Sequence, residues 1–342
     1  MNRTTHAFKT EKEWLDLRKQ DITSTEAAGL FGAGAYDNSR TMYELYQIKS
    51  GAIDPKDFKS NERTVWGNRL EAAIAAGVAE DLGLIVEPFK VYMRIPEVRI
   101  GSSFDFKIVG IVEGFSGDET ARDMFRQHGH GIMEVKNIDS LQFKRNWIEE
   151  GETIEATAQI EFQVQHQLEV ADLEWTLIAP LVGGNTPKTV IRKRDREVGE
   201  AIRKAAIALW ARVDMGQPPA PDFEKDAGTI GRLYAEDDGS HCDLSGNVRL
   251  IELCAIHEAE KARKKDAEDK QKAAKAEILT IIGAHKTTYA DMFTVTAGGR
   301  KESFRAYHKE AGERWTITKS VIPACDVEAT VPGYRDLRIK AA

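Results

Sequence analysis

No stretch of this 342-residue chain approaches the roughly 18 consecutive apolar residues that a membrane-spanning helix needs. The opening residues, Met1 to His6, lack the apolar core of a secretory leader. Cysteine is scarce, with three in the whole chain. A small odd number in a long chain builds no disulfide framework, and cysteine-ligated iron–sulfur clusters use more thiolates than are present. These absences lead us to expect a soluble cytoplasmic protein with no membrane association. Excess positive charge is missing too: 48 Lys+Arg stand against 55 Asp+Glu, a net charge of −7. Backbone contacts to nucleic acid draw affinity from Lys and Arg facing phosphates, so the total argues against non-specific nucleic-acid binding. What remains is 42% hydrophobic and 30% charged. That composition is globular, and the length suits about two domains.

The first block, residues 1–221, reads as one mixed α/β domain. Glu11 to Lys19 has helical spacing around Trp14, Leu15 and Leu17. Ser24 and Thr25 are N-cap types ahead of Ala27 to Leu30. Gly67 to Leu82 is Ala-rich and helical. Val91 to Glu113 is β-branched, with breaks at Pro96 and Gly101, and His130 to Lys136 reads as another strand. The polar segment 114–130 between them reads as a loop or hairpin tip. Ala158 to Val170 is a helix, Trp175 to Leu181 a buried strand and Arg196 to Met215 an amphipathic helix. Gly216 and the prolines at 218, 219 and 221 then mark a boundary. Residues 222–285 form a charged helical segment, with opposite charges three and four apart as on a solvated face. Residues 286–342 look like a small basic β-rich module. Charge is uneven: −6 over 1–221, −4 over 222–280 and +3 over 281–342.

The chemistry sits in Asp105, Glu134 and Lys136. Glu134 and Lys136 lie two apart on one strand, so their side chains share a face. If the strand ending near Asp105 pairs with theirs, two carboxylates and a lysine meet in one pocket. Carboxylate oxygens suit Mg²⁺ or Mn²⁺ better than Zn²⁺. A divalent ion held there lowers the pKa of bound water and stabilises charge on a phosphate oxygen. The lysine can orient or deprotonate that water, or neutralise developing charge. By themselves Asp105 and Glu134-x-Lys136 are weak evidence, because Glu-Val-Lys on a strand is more often a surface pair. Glu71, near the start of a helix, adds a carboxylate that the helix dipole also explains. The histidines and cysteines His241, Cys242, Cys254 and His257 lack the Cys-x-x-Cys spacing of a zinc site.

Several segments in order carry a resemblance: Trp14 to Arg18 followed by Ile22 to Ala27; Tyr43 to Tyr46; Trp66 to Glu71; Ser103 to Asp105; Gly131 to Lys136; Trp147; Gln163 to Gln165; and Val190 to Arg192 onward to Trp210. Together they resemble the lambda-exonuclease-like, YqaJ-type viral recombination nucleases of the restriction-endonuclease-like PD-(D/E)xK superfamily. The resemblance implies a central mixed β-sheet flanked by helices. It implies Asp105 and Glu134 as main metal ligands, helped by the Val135 carbonyl and by Glu71, with Lys136 as catalytic lysine. Gln165 would hydrogen-bond in the active site. Arg18 with Ser24 or Thr25 would receive the 5′-phosphate, in keeping with the anion affinity of a helix N-terminus beside a guanidinium.

The activity implied is Mg²⁺-dependent exonuclease action on double-stranded DNA ends, 5′ to 3′. The product 3′ strands would pass to a phage annealing recombinase of the RecT or Red-beta type. A phage or prophage source and a ring-shaped homotrimer are further implications. Two departures stand out. The usual Pro-Asp-Gly is Phe104-Asp105-Phe106, which suggests that the strand runs on through the aspartate. The gap from Asp105 to Glu134 is also long. Two other readings compete: an endonuclease or nickase of the same superfamily, and a non-catalytic protein that binds DNA ends or the recombinase.

Overall fold

A computed structural model describes residues 1–33, 40–54, 62–151, 153–236, 239–244, 246–282 and the backbone of five strands beyond them. The chain divides into two compact units, Met1–Asp238 and Gly239–Ala342. The first contains β1 (Thr4–His6), α1 (Glu11–Lys19), β2 (Ile22–Thr23), a 3-10 helix (Ser24–Phe31), α2 (Met42–Lys49) and α3 (Glu62–Leu82). There follow β3 (Leu84–Pro88), β4 (Tyr92–Ile95), β5 (Ile100–Ser103), β6 (Phe106–Ile111), α4 (Thr120–His128), β7 (Gly131–Ile138) and α5 (Ser140–Asn146). The unit is completed by β8 (Ile148–Glu150), β9 (Thr153–Glu155), α6 (Ala158–Ala171), β10 (Trp175–Val182), β11 (Thr186–Pro187), β12 (Val190–Lys193), α7 (Arg196–Asp214) and α8 (Ala227–Leu233).

The main sheet has the order β11-β10-β7-β6-β3, with β12 also paired to β10. Strands β3, β6 and β7 are antiparallel neighbours, and β10 joins β7 in parallel. Strand β10 reads as a near-continuous apolar run because both of its faces are covered. On one face α3 lays down Ile74, Ala75, Val78 and Leu82 against Phe106, Met133 and Val135. On the other, Leu168 of α6 and Leu209 and Trp210 of α7 pack with Phe104 and Ile132. This is the mixed sheet between helices expected of a restriction-endonuclease-like α/β core. Gly131 opens β7 where only glycine fits, since a Cβ there would lie 2.5 Å from the Trp175 ring. A smaller sheet, β1-β4-β5-β2, carries α1 and the 3-10 helix.

Two expectations are corrected. The strand does not run on through Asp105: β5 ends at Ser103 and β6 starts at Phe106, in different sheets. Phe104 and Phe106 anchor in opposite cores and so turn the chain between them without proline or glycine. Segment 114–130 is no hairpin tip. It contains α4, whose Ala121 and Met124 join the core. Arg122 is 1% exposed. Its guanidinium donates to the carbonyls of Phe115, Gly117 and Asp118, pairs with Glu119 and lies 4.8 Å from the Phe115 ring. A buried arginine acting as an internal staple leaves no hydrophobic periodicity to read.

The first unit continues past Pro221. Asp226 accepts hydrogen bonds from the Thr41 hydroxyl and the Asp222 amide, and Arg232 pairs with Glu44 at 2.7 Å. In the second unit α9 (Val248–Ile282) is exposed along its length. Ion pairs three or four residues apart, such as Arg263–Glu260 and Lys270–Asp266, support it. Five strands follow: β13 (Thr287–Ala290), β14 (Phe293–Gly298), β15 (Glu302–Tyr307), β16 (Trp315–Thr318) and β17 (Arg335–Lys340). They form one sheet in the order β13-β16-β14-β15-β17. Much of the module expected over 286–342 lies outside the described residues. No helix among the described residues is long and apolar enough to cross a membrane.

Candidate active site

The register of β6 on β7 pairs Phe106 with Met133, which brings Asp105, just before β6, to Glu134. One Asp105 carboxylate oxygen accepts the Val135 amide at 2.8 Å, and the Asp105 carbonyl accepts the Phe89 amide at 3.0 Å. Glu134 is 1% exposed. Its Oε1 takes the Lys136 ammonium and the Gln163 amide, and its Oε2 takes the Gln167 amide at 2.8 Å. Glu71, from α3, is close enough to feel both Glu134 and Lys136.

The electrostatics follow from three carboxylates sharing one half-buried lysine. Burial first, then the charge of Glu134, pushes the Asp105 carboxyl up to about 8. Burial, again followed by Glu134, raises Glu71. Burial works against the Lys136 ammonium, but Glu134 and Asp105 outweigh it and the net shift is upward. Lys136 is therefore an ammonium at neutral pH.

Gln165 is not part of this cluster, contrary to expectation. Its amide donates to the Lys193 carbonyl at 2.9 Å, and its carbonyl oxygen accepts the Asp195 amide at 2.8 Å. It ties α6 to the junction of β12 and α7. Residues 163 and 167 are four apart and share the helix face toward Glu134, while 165 points elsewhere. Gln167 also donates to the Ser103 carbonyl. Next to it, His166 is buried and held neutral: burial pushes it down to about 4. Its ring bridges the Ser102 hydroxyl at 2.9 Å and the Ile22 carbonyl at 3.1 Å.

Side chains expected to hold an anion gather around Arg18. Its guanidinium reaches the hydroxyls of Thr23 at 3.4 Å and Thr25 at 3.3 Å and lies 4.5 Å from the Trp14 ring. Thr25 is exposed, Ser24 is buried, and Thr23 is a contact that the sequence reading missed. The indole of Trp14 donates to the Ser103 hydroxyl at 2.7 Å. Arg18, Trp14, Ser103, Gln167 and Glu134 thus form one continuous run of contacts. Glu26 anchors the region: it accepts the Thr23 amide and hydroxyl and pairs with Arg40 and Lys49. These cations outweigh the cost of its burial and hold its carboxyl down at about 2.

Comparison with known proteins finds one family match. Residues 13–174, which span α1 to the end of α6, match the profile of the YqaJ-like viral recombinase domain. Over those residues the chain is similar to that family. No curated protein matches it in sequence. Among solved structures, the alkaline exonuclease LHK-Exo from Laribacter hongkongensis is similar with a TM-score of 0.42 and 16% identity, over 64% of this chain and 99% of that one. The same exonuclease in complex with dAMP gives 0.40 and 16%, over 66% and 98%. A phage related exonuclease from Haemophilus somnus 129PT gives 0.39 and 14%, over 57% and 94%.

The donor set of the acidic cluster fits a hard divalent cation. All candidate ligands are oxygens: Asp105, Glu134, the Val135 carbonyl and Glu71. The Asp105 carboxyl, raised to about 8 by burial first and then by Glu134, is one that a bound cation would favour as the carboxylate. The Gln167 carbonyl oxygen is buried without a hydrogen-bond donor, and a water carried by a hydrated ion is such a donor. Among the described residues no three acids, histidines or cysteines are arranged as a ready metal cage. Lys136 and the two glutamines already engage Glu134. His241, Cys242, Cys254 and His257 form no such group either; both cysteines are free and exposed.

Proposed function

We propose that this protein is a metal-dependent, phage-type DNA exonuclease. In this reading it hydrolyses phosphodiester bonds from the 5′ ends of duplex DNA. It leaves 3′ single strands for an annealing recombinase of the RecT or Red-beta type, in the cytoplasm of the bacterial host and as a ring-shaped homotrimer. The observation that carries the reading is the meeting of Asp105, Glu134, Glu71 and Lys136 beside the Arg18 pocket.

Asp105, Glu134, the Val135 carbonyl and Glu71 would hold Mg²⁺, with Mn²⁺ as a substitute. A bound ion would neutralise the cluster and lower the pKa of attached water. Lys136 keeps its proton and offers N–H groups to a phosphate oxygen gaining charge during hydrolysis. Gln163 and Gln167 fix the Glu134 carboxylate. Arg18 and Thr25 bind the terminal phosphate, and this end-binding limits hydrolysis to chain ends.

Equal amounts of linear and covalently closed circular duplex test the reading. Linear DNA is expected to be digested and circles left intact. Cut circles would establish the endonuclease reading, and end-binding without digestion the non-catalytic one. The glutamines supply a second test. Gln167→Ala and Gln163→Ala are each expected to lower kcat by roughly tenfold to a hundredfold through loss of carboxylate positioning. Gln165→Ala should cost stability, seen as a lower Tm, and leave kcat within about twofold. A larger kcat loss for Gln165→Ala than for Gln167→Ala would overturn the assignment.

A further inference from the structure

We infer that the buried Lys49, with Glu26 and Thr23, positions Arg18 and sets the pocket's charge to select a terminal phosphate over a hydroxyl. The inference rests on the reading of Arg18 as the 5′-phosphate ligand and asks what makes that ligand specific.

Lys49, at the C-terminal end of α2, has a side chain only 3% exposed. Its ammonium meets three oxygens: the Asp21 carbonyl at 2.7 Å, the Arg18 carbonyl at 3.4 Å and Glu26 at 2.9 Å. The first two are carbonyls at the end of α1 and just beyond it, so Lys49 ties down the backbone that carries Arg18. Glu26 accepts the Thr23 hydroxyl at 2.9 Å, and the Thr23 oxygen faces the Arg18 guanidinium. Arg18 is thus fixed at both ends, through its own carbonyl and through the hydroxyl beside its guanidinium.

The charge balance has a direction. Two buried acids, Asp21 and Glu26, stand in this region. Arg94 pairs with Asp21, and Arg40 and Lys49 pair with Glu26. Arg18 is a fourth cation, and its guanidinium contacts two hydroxyls and the Trp14 ring. Four cations against two acids leave two positive charges. A terminal phosphomonoester carries about −1.5 to −2 at neutral pH, whereas an internal diester carries a single charge and a hydroxyl end none. The region is therefore matched to a terminal monoester, and Lys49 contributes both the charge and the geometry.

The test is the ratio of kcat/KM on linear duplexes with 5′-phosphate and 5′-hydroxyl ends, measured on the full chain. Lys49→Met is expected to reduce that ratio by roughly tenfold to a hundredfold, since misplacing a ligand by about an ångström costs that much. A merely structural lysine would slow both substrates alike and leave the ratio unchanged, which overturns the inference. Thr23→Val removes the relay hydroxyl at near-constant volume and decides by the same ratio if Lys49→Met does not fold. Arg18→Ala separates the two levels of argument. If it abolishes the preference while Lys49→Met and Thr23→Val keep it, the positioning role fails and the pocket stands. If Arg18→Ala keeps the preference, the pocket reading itself fails.

Discussion

Asp105→Asn is expected to abolish digestion, by about a thousandfold or more, and at the same time to stabilise the metal-free protein at alkaline pH. The two effects share one cause. The Asp105 carboxyl is pushed up to about 8, by burial first and then by Glu134 and Glu71. In the unfolded chain it titrates near 3.8. Between these values the folded state binds the extra proton, so the stabilisation is full below about pH 4 and is lost as pH rises through about 8. Above that range the native state holds a carboxylate it would rather protonate. Asparagine keeps the shape, and its oxygen can still accept the Val135 amide, but it carries no charge. Thermal melts in a chelator should show the variant higher in Tm than the parent at pH 8, by several degrees for a few kcal/mol, with the gap closing at pH 5. Losing activity with no gain at pH 8 would mean that Asp105 is not strained by its neighbours. A stability gain traded against function is what a site built for chemistry rather than for folding should give.

The parts of this site that were legible in the sequence are those fixed by strand alternation. Glu134 and Lys136 share a face because they are two apart, whatever the rest of the fold does. Asp105 could be joined to them only on the condition that its strand pairs with theirs, a condition the antiparallel pairing of β6 and β7 meets. Helix α6 was harder. Ile160, Val164 and Leu168 show one buried stripe, but Gln163, Gln165 and Gln167 are also buried. Three identical residues on a helix covered on several sides give no phase, so the helical period could not correct the resemblance, which implied Gln165. Buried charge was illegible throughout. Arg122, Glu26 and Lys49 read as surface residues on any hydropathy scale, and only partners distant in sequence explain their burial. The run of the first unit beyond Pro221 was hidden for the same reason: Arg232 is held by Glu44, far back in the chain. A total charge of −7 hides the cations gathered around Arg18, a local excess inside an acidic whole.

Removal of divalent ions is expected to stop digestion completely, and Mg²⁺ to restore it, with Mn²⁺ able to substitute. Above about pH 8, Glu71, Asp105 and Glu134 place three negative charges around one Lys136 ammonium. A phosphodiester brought to that cluster without a counter-cation meets net repulsion. One unmatched unit charge at about 5 Å costs about 3 kcal/mol at an effective dielectric of 20, more than a hundredfold in affinity for the reacting position. At neutral pH the Asp105 carboxyl is mostly protonated, which relieves some of this, but a protonated carboxyl no longer offers a full charge to a metal. Metal-free protein should therefore bind a labelled duplex end weakly, and more weakly at pH 8 than at pH 6. Asp105→Asn in the same chelator should bind more tightly than the parent, because one repelling charge is gone while Arg18 and Lys136 remain. Fluorescence anisotropy at fixed salt measures both, and fixed salt matters because phosphate binding is itself salt-dependent. Tight, pH-independent binding by the metal-free parent, or digestion in excess chelator, would show that the acids do not repel DNA and that the cluster does not await a cation.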